Sequence, residues 1–196
     1  AAGMSAGAAG AAIALSDSGG ALAADRIETP VGDYEDTLTA IRAMVLAIEA
    51  DTRRTGSVGI GIPGSVSATT GLVRNANSVW LIGKPLGDDL SALLDRPVRV
   101  GNDANCFALS EASDGAAAGA AVVFGVILGT GVGGGAVIQG RVLAGVNAIA
   151  GEWGHNPLPW PRDDERPGPA CYCGLAGCIE TFLSGPGFAR DYEPAG

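Results

Sequence analysis

AVVFGVILGTGVGGGAVI, residues 121–138, is the stretch on which the fold turns. AVVFGVIL (121–128) reads as a short buried strand, and AVI (136–138) as a second one. Between them lies GTGVGGG (129–135). A dinucleotide fingerprint would open a helix here, and a P-loop would end in Gly-Lys-Ser/Thr; this segment does neither. What remains is a Gly-rich hairpin. Its bare backbone N–H groups are able to approach a phosphate, or it is simply a flexible turn.

The rest of the chain repeats the theme. IALSDSGGAL (13–22) reads as strand, Gly-containing turn and strand, a weak echo of 121–140 that hints at two similar halves. From Asp33 a helix is expected, because Leu38, Ile41, Val45 and Ile48 fall on one face. SVGIGIPG (57–64) is a strand ending in a Pro-Gly break. RPVRVGNDAN (96–105) is a strand running into a polar loop, and ANCFALSEASDGAAAG (104–119) is helical until its Gly. Strand–helix–strand alternation makes this an α/β protein, with lobes expected at 1–119 and 120–196. PLPWPRDDERPGP (157–169) reads as a solvent-facing insertion.

Composition narrows the function. Apolar residues make up 47% of the 196, enough for a real core, yet no run approaches the ~20 apolar residues of a membrane span. The net charge of −9, with 12 basic residues, disfavours nucleic acid and anionic membrane as partners. Lys84 is the sole lysine. The opening AAGMSAGAAGAA lacks the basic and strongly apolar regions of a signal peptide. Four cysteines do not make a secreted disulfide scaffold. A cytoplasmic protein is the expectation.

Two further motifs can carry chemistry. GNDAN (101–105) sets Asn102 and Asp103 at a strand's C-terminal edge, where an Asp can serve as general base, hold a cation or merely cap the next helix. GEWGH (151–155) brings Glu152 and His155 into one turn, upstream of CYCGLAGC (171–178). The spacing H-x15-C-x-C-x4-C offers one imidazole and three thiolates, a closed tetrahedral set for structural zinc. Zinc is favoured over a redox pair, since a Cys-x-Cys disulfide would be strained.

In this order GNDANC, GTGVGGG, AGEWGHNPLPW and CYCGLAGCIETFLSG resemble the ROK family of sugar kinases and repressors. Upstream, TP-x-x-DY (29–34), GIPGSVSATTG (61–71) and NANSVWL (75–81) extend the resemblance over roughly residues 13–193. It looks closest to the bacterial fructokinase/mannokinase branch. The resemblance implies an actin-like, ribonuclease-H-like α/β fold with two lobes around a sugar and ATP cleft, the second lobe incomplete in this chain. It implies transfer of the ATP γ-phosphoryl to a hexose hydroxyl, usually at C6, with fructose the expected substrate, ATP the co-substrate and Mg²⁺ on the phosphates. Glucose, mannose and N-acetylglucosamine are the alternatives within the family. Asp103 matches the family's general base. Gly64, Ser65, Asn77, Asn102, Glu152, His155 and Glu180 match sugar-binding positions. Gly129, Thr130, Gly131, Gly133 and Gly134 match the phosphate hairpin, and His155, Cys171, Cys173 and Cys178 the zinc ligands. A homodimer is expected from the same source.

Three departures stand out. The family's Asp-x-Gly-Gly-Thr turn, which meets ATP phosphates and Mg²⁺, falls near MSAGA (4–8), where Asp and Thr are missing. Ile82 stands where close relatives carry a polar residue. Family members run on for about another hundred residues, so the chain reads as part of a longer product. A sugar-binding sensor without ATP use is therefore the competing expectation. A repressor is disfavoured, because nothing before Ile13 forms a helix-turn-helix and the charge is acidic.

Overall fold

A computed structural model describes residues 2–6, 9–15, 19–28, 30–76 and 78–192, with 2–6 and 9–14 described by backbone alone. The chain divides into two compact units, residues 1–106 and 107–196.

The first unit is built on a five-stranded mixed sheet of order β3-β2-β1-β4-β7. Its strands are β1 (Ala2–Ala6), β2 (Ala9–Leu15), β3 (Ala21–Glu28), β4 (Val58–Ile62) and β7 (Val98–Asn102). β1, β2 and β3 form antiparallel pairs, whereas β4 runs parallel to both β1 and β7. The expected hairpin around residues 13–22 is present as β2–β3; residues 16–18 of its turn lie outside the described residues. β1 was not expected, because Ala and Gly have poor strand propensity. Backbone pairing on both sides, to β2 and β4, overrides that weak preference.

Helix α1 (Tyr34–Thr52) begins where the sequence places it. The Asp33 side chain accepts the Asp36 N–H at 2.9 Å as N-cap. Leu38, Ile41, Val45 and Ile48 are all buried, joined by Met44 and Thr37. They form one core with Val58, Ile60 and Ile62 of β4 and with Leu86 and Leu90 of α2 (Leu86–Leu94). The sequence reading did not include α2, whose apolar face is short. A small ribbon, β5 (Ser65–Val66) with β6 (Val73–Arg74), carries the segment after the Pro-Gly break. Ile82 ends a short 3-10 turn, Val79–Leu81, and is exposed.

Helix α3 (Asp103–Ser113) follows β7 directly, and the division between units falls within it. It stops at Ser113, before the Gly expected to end it, and residues 114–119 are turns. The second unit has a three-stranded antiparallel sheet of order β10-β9-β8. These strands are β8 (Val122–Leu128), β9 (Val132–Ile138) and β10 (Arg141–Val142). Two sequence expectations need correction. β8 is not buried throughout: Val123 is inside, while Val122, Phe124, Val126 and Leu128 are exposed, as a period-2 strand with one covered face requires. The glycine run is not one long turn either, because Val132–Gly135 already pair with Leu128–Gly125. Only residues 129–131 make the connection.

A long irregular segment then leads to α4 (Ile179–Leu183) and α5 (Gly185–Asp191). The Pro-rich loop is mostly exposed and laced by Arg162–Glu165 and Arg166–Asp163 ion pairs. Such exposed pairs contribute little stability. Among the described residues no helix is long and apolar enough to cross a membrane.

Candidate active site and metal centre

In the first unit the chemistry gathers where β7 becomes α3. Asn102 ends the strand and caps the helix, its Oδ1 accepting the Asn105 N–H at 3.0 Å. Asp103 is therefore not the N-cap. It is the first helical residue, and its carboxylate accepts the adjacent Ala104 N–H at 2.8 Å. Burial raises its pKa above the ordinary carboxylate range, more than the Ala104 N–H lowers it. A desolvated carboxylate at a parallel strand's C-terminal end is a good proton acceptor in waiting. Cys106, one turn on, has its thiol pKa raised by desolvation and then by the charge of Asp103, which counts against a nucleophilic role.

Asn102 also donates from Nδ2 to the Gly64 carbonyl at 3.0 Å, tying the Pro-Gly break to the end of β7. Gly64 has φ +153°, and a Cβ there would meet Ala76 Cα and the Arg74 carbonyl at 2.9 Å. Only glycine fits this approach. Ser65 follows, half-buried at the start of β5. Asn77 lies outside the described residues.

In the second unit the segment around His155 is zipped onto the segment after the cysteines. Glu180 N donates to Gly154 O at 2.8 Å, Ile179 N to Asn156 O at 2.9 Å, and Pro157 bridges to Cys178. The turn Cys171–Gly174 folds back so that the Cys171 N–H meets Leu175 O. As a result His155, Cys171, Cys173 and Cys178 bring one ligand atom each within 4.8 Å of one another. His155 Nδ1 faces Cys171 Sγ at 3.4 Å, and Cys173 Sγ faces Cys178 Sγ at 3.6 Å. Burial, then the neighbouring thiols, push Cys178 up to about 12. A divalent cation relieves that crowding. The set can hold a metal ion, and its three thiols and one imidazole fit a closed tetrahedral N/S site.

Glu180 also reaches the Gly-rich connection. Its Oε2 accepts the Val132 N–H at 2.8 Å, and Gly185 N donates to Gly129 O at 2.7 Å, so both ends of the 129–131 turn are tied to the α4–α5 segment. Gly133 and Gly134 lie within β9, where Gly133 O accepts Trp153 Nε1–H at 2.8 Å. Thr130 stands exposed at the tip between Gly129 and Gly131. Glu152 is exposed, three residues before His155. Gly154 is buried, and a Cβ there would collide with the Val132 carbonyl. Gly154→Ala is expected to cost about 1–3 kcal/mol, read as a fall in Tm, and to disturb the Glu180–Val132 contact.

The ROK family profile matches residues 1–196. The chain belongs to the ROK family. A curated relative, the N-acetyl-D-glucosamine kinase of Pectobacterium atrosepticum, is 47% identical over 172 residues, covering 86% of this chain and 57% of the relative. The chain thus spans a little over half the length of the curated relatives it matches. The ROK family glucokinase of Streptomyces griseus, solved with glucose and AMPPNP, superposes with a TM-score of 0.81 at 32% identity. That match covers 96% of this chain and 58% of the glucokinase. A ROK family transcriptional regulator, a homologue of the E. coli MLC protein, has a TM-score of 0.82 at 25% identity over 97% of this chain and 48% of its own.

These likenesses bear out the α/β, actin- and hexokinase-like fold expected from the sequence. They correct the branch. Relatives at 43–49% identity are N-acetyl-D-glucosamine kinases, which overturns the placement with fructokinases and mannokinases. The motifs for phosphate, base and metal are shared by different ROK sugar kinases and say little about which hydroxyl pattern is bound. Tyr172 was missed altogether. Its hydroxyl lies 2.9 Å from His155 Nε2, and its only sequence signal was its seat between Cys171 and Cys173.

Proposed function

We propose that this chain belongs to an ATP-dependent sugar kinase that acts on N-acetyl-D-glucosamine. Asp103 carries the step from family to activity. It is a carboxylate whose pKa burial raises, standing where a strand hands over to a helix. In this reading Asp103 accepts the proton of the sugar's C6 hydroxyl as that oxygen attacks the γ-phosphorus of ATP. The bond from the γ-phosphorus to the bridging oxygen breaks, and ADP leaves. Positioning and charge stabilisation supply most of the rate in such transfers.

By family resemblance Gly64, Ser65, Asn77, Asn102, Glu152, His155 and Glu180 are assigned to sugar recognition. A sugar offers many hydroxyls and no charge, so carboxylates, amides and an imidazole suffice to orient it. The 129–131 turn, with Gly133 and Gly134 behind it, is assigned to the phosphates, and Mg²⁺ to their neutralisation. The Cys3His set is assigned to structural zinc, which leaves no open position for water. Homodimerisation, a cytoplasmic setting and the absence of nucleic-acid and membrane partners complete the reading.

A second reading has one observation in its favour. MSAGA lacks the Asp and Thr of the family's first phosphate turn, which suits a sugar sensor that does not use ATP. A coupled ADP-release assay on the full-length protein separates the two. N-acetylglucosamine is expected to give the highest kcat/KM against glucose, mannose and fructose. Sugar binding by calorimetry with no ADP release would establish the sensor instead.

A further inference from the structure

The outward nitrogen of His155 is already in use. Nδ1 faces Cys171 Sγ at 3.4 Å, so Nε2 is the nitrogen turned away from the cysteines, and it meets the Tyr172 hydroxyl at 2.9 Å. The Glu180 carboxylate lies close enough for its charge to act on the same phenol. With a metal ion held on the cysteine side by Nδ1, Nε2 would carry the hydrogen and donate. The phenol oxygen then accepts that N–H, beside the Glu180 carboxylate. An N–H donor on one side and a carboxylate on the other are what a substrate hydroxyl would need from the same two residues.

Little else holds Tyr172. It is 77% exposed. Its ring touches His155 edge-on, with centroids 5.0 Å apart and planes at 87°. It stands in the Cys171–Gly174 turn, whose closing bond, Gly174 N to Cys171 O, is backbone alone. A phenol that is mostly solvated can swing away without opening the core.

Resting on the kinase reading above, we propose that Tyr172 is an internal stand-in for a sugar hydroxyl. In the free protein its Oη satisfies His155 Nε2 beside Glu180; an incoming sugar displaces it and takes over the His155 bond and the place beside the carboxylate. Tyr172 thereby sets the affinity threshold of the site. It also keeps the imidazole oriented while the sugar is absent. The sugar must break one phenol bond set before forming its own.

Tyr172→Phe in the full-length protein tests this, since it removes the competing hydroxyl and leaves the ring. One hydrogen-bond set of this kind is worth about 0.5–1.5 kcal/mol net, so the calorimetric Kd and the KM for N-acetylglucosamine are expected to fall about threefold to tenfold, with kcat and the KM for ATP unchanged. His155 is the single histidine of this sequence, so ¹⁵N NMR of its ring gives a second readout. Adding sugar to the wild type, or making Tyr172→Phe without sugar, should each move the Nε2 resonance. A Kd for the variant equal to or weaker than wild type overturns the proposal, as does an Nε2 resonance indifferent to the substitution. If wild type binds no N-acetylglucosamine, the kinase reading fails and the proposal falls with it. If wild type binds and the variant binds no better, only the proposal fails.

Discussion

Asp103→Asn is expected to lower kcat by about 10²–10⁴-fold, the usual contribution of a positioned general base. Sugar affinity should change far less, because the carboxamide keeps an oxygen to accept the Ala104 N–H that Asp103 now takes at 2.8 Å. Stability should move the other way. Burial raises the Asp103 pKa, so the folded state prefers the neutral acid. A group raised in this sense contributes stability that is complete below its unfolded pKa and lost as pH rises through its folded one. At neutral pH the ionised, desolvated carboxylate is therefore a cost, and the neutral amide removes it. Melting curves should show the variant at or above wild-type Tm at neutral pH, with the difference shrinking in acid. The same shift places the acid limb of the kcat/KM profile above the ordinary carboxylate range. A variant that keeps full turnover would exclude Asp103 as the base. This pairing of higher stability with lost activity is the expected mark of a site residue strained for function.

Opening the metal centre should have the largest structural effect. Cys178 is 1% exposed, and Cys178→Ser is expected to cost about 4 kcal/mol or more, in the range where loss of a metal is among the few adequate causes. Elemental analysis should find about one zinc per wild-type chain, lost on treatment with a strong chelator together with cooperative melting of this unit. Cys173 is exposed, so Cys173→Ser is the milder probe. It should leave a folded protein whose sugar affinity is weaker on the order of tenfold, the worth of one misplaced hydrogen bond to a charged group. The link is geometric. Glu180 follows Cys178 by two residues, and its N–H is bonded to Gly154, next to His155. Sugar affinity at the wild-type level in a folded Cys173→Ser protein would break it.

The α1 face was legible because its apolar residues recur at helical spacing, and the 13–22 hairpin because a Gly-containing turn separates two apolar runs. Strand β1 was not, since Ala2–Ala6 carry no pattern and owe their extension to β2 and β4. The alternation of Val122, Phe124, Val126 and Leu128 with Val123 was hidden for the opposite reason: every residue in the run is apolar or Gly, so no sequence contrast marks which face is covered. The role of Asn102 was ambiguous as well. GNDAN offers two competent capping residues in a row, and only the backbone path selects Asn102 over Asp103.

By itself the sequence determined the family, the α/β class, the Cys3His donor set and the Asp at the strand's end. Each depends on residue type and spacing along one chain. Tertiary structure alone decided which groups touch. The Glu180–Val132 bond joins residues 48 apart, and the Tyr172–His155 bond joins residues 17 apart. No local rule relates such positions, because they meet only after two irregular segments have paired and the cysteines have closed their turn. Hydrogen bonding is short-ranged and directional, so it can be read only once the chain's path has brought donor and acceptor within about 3 Å.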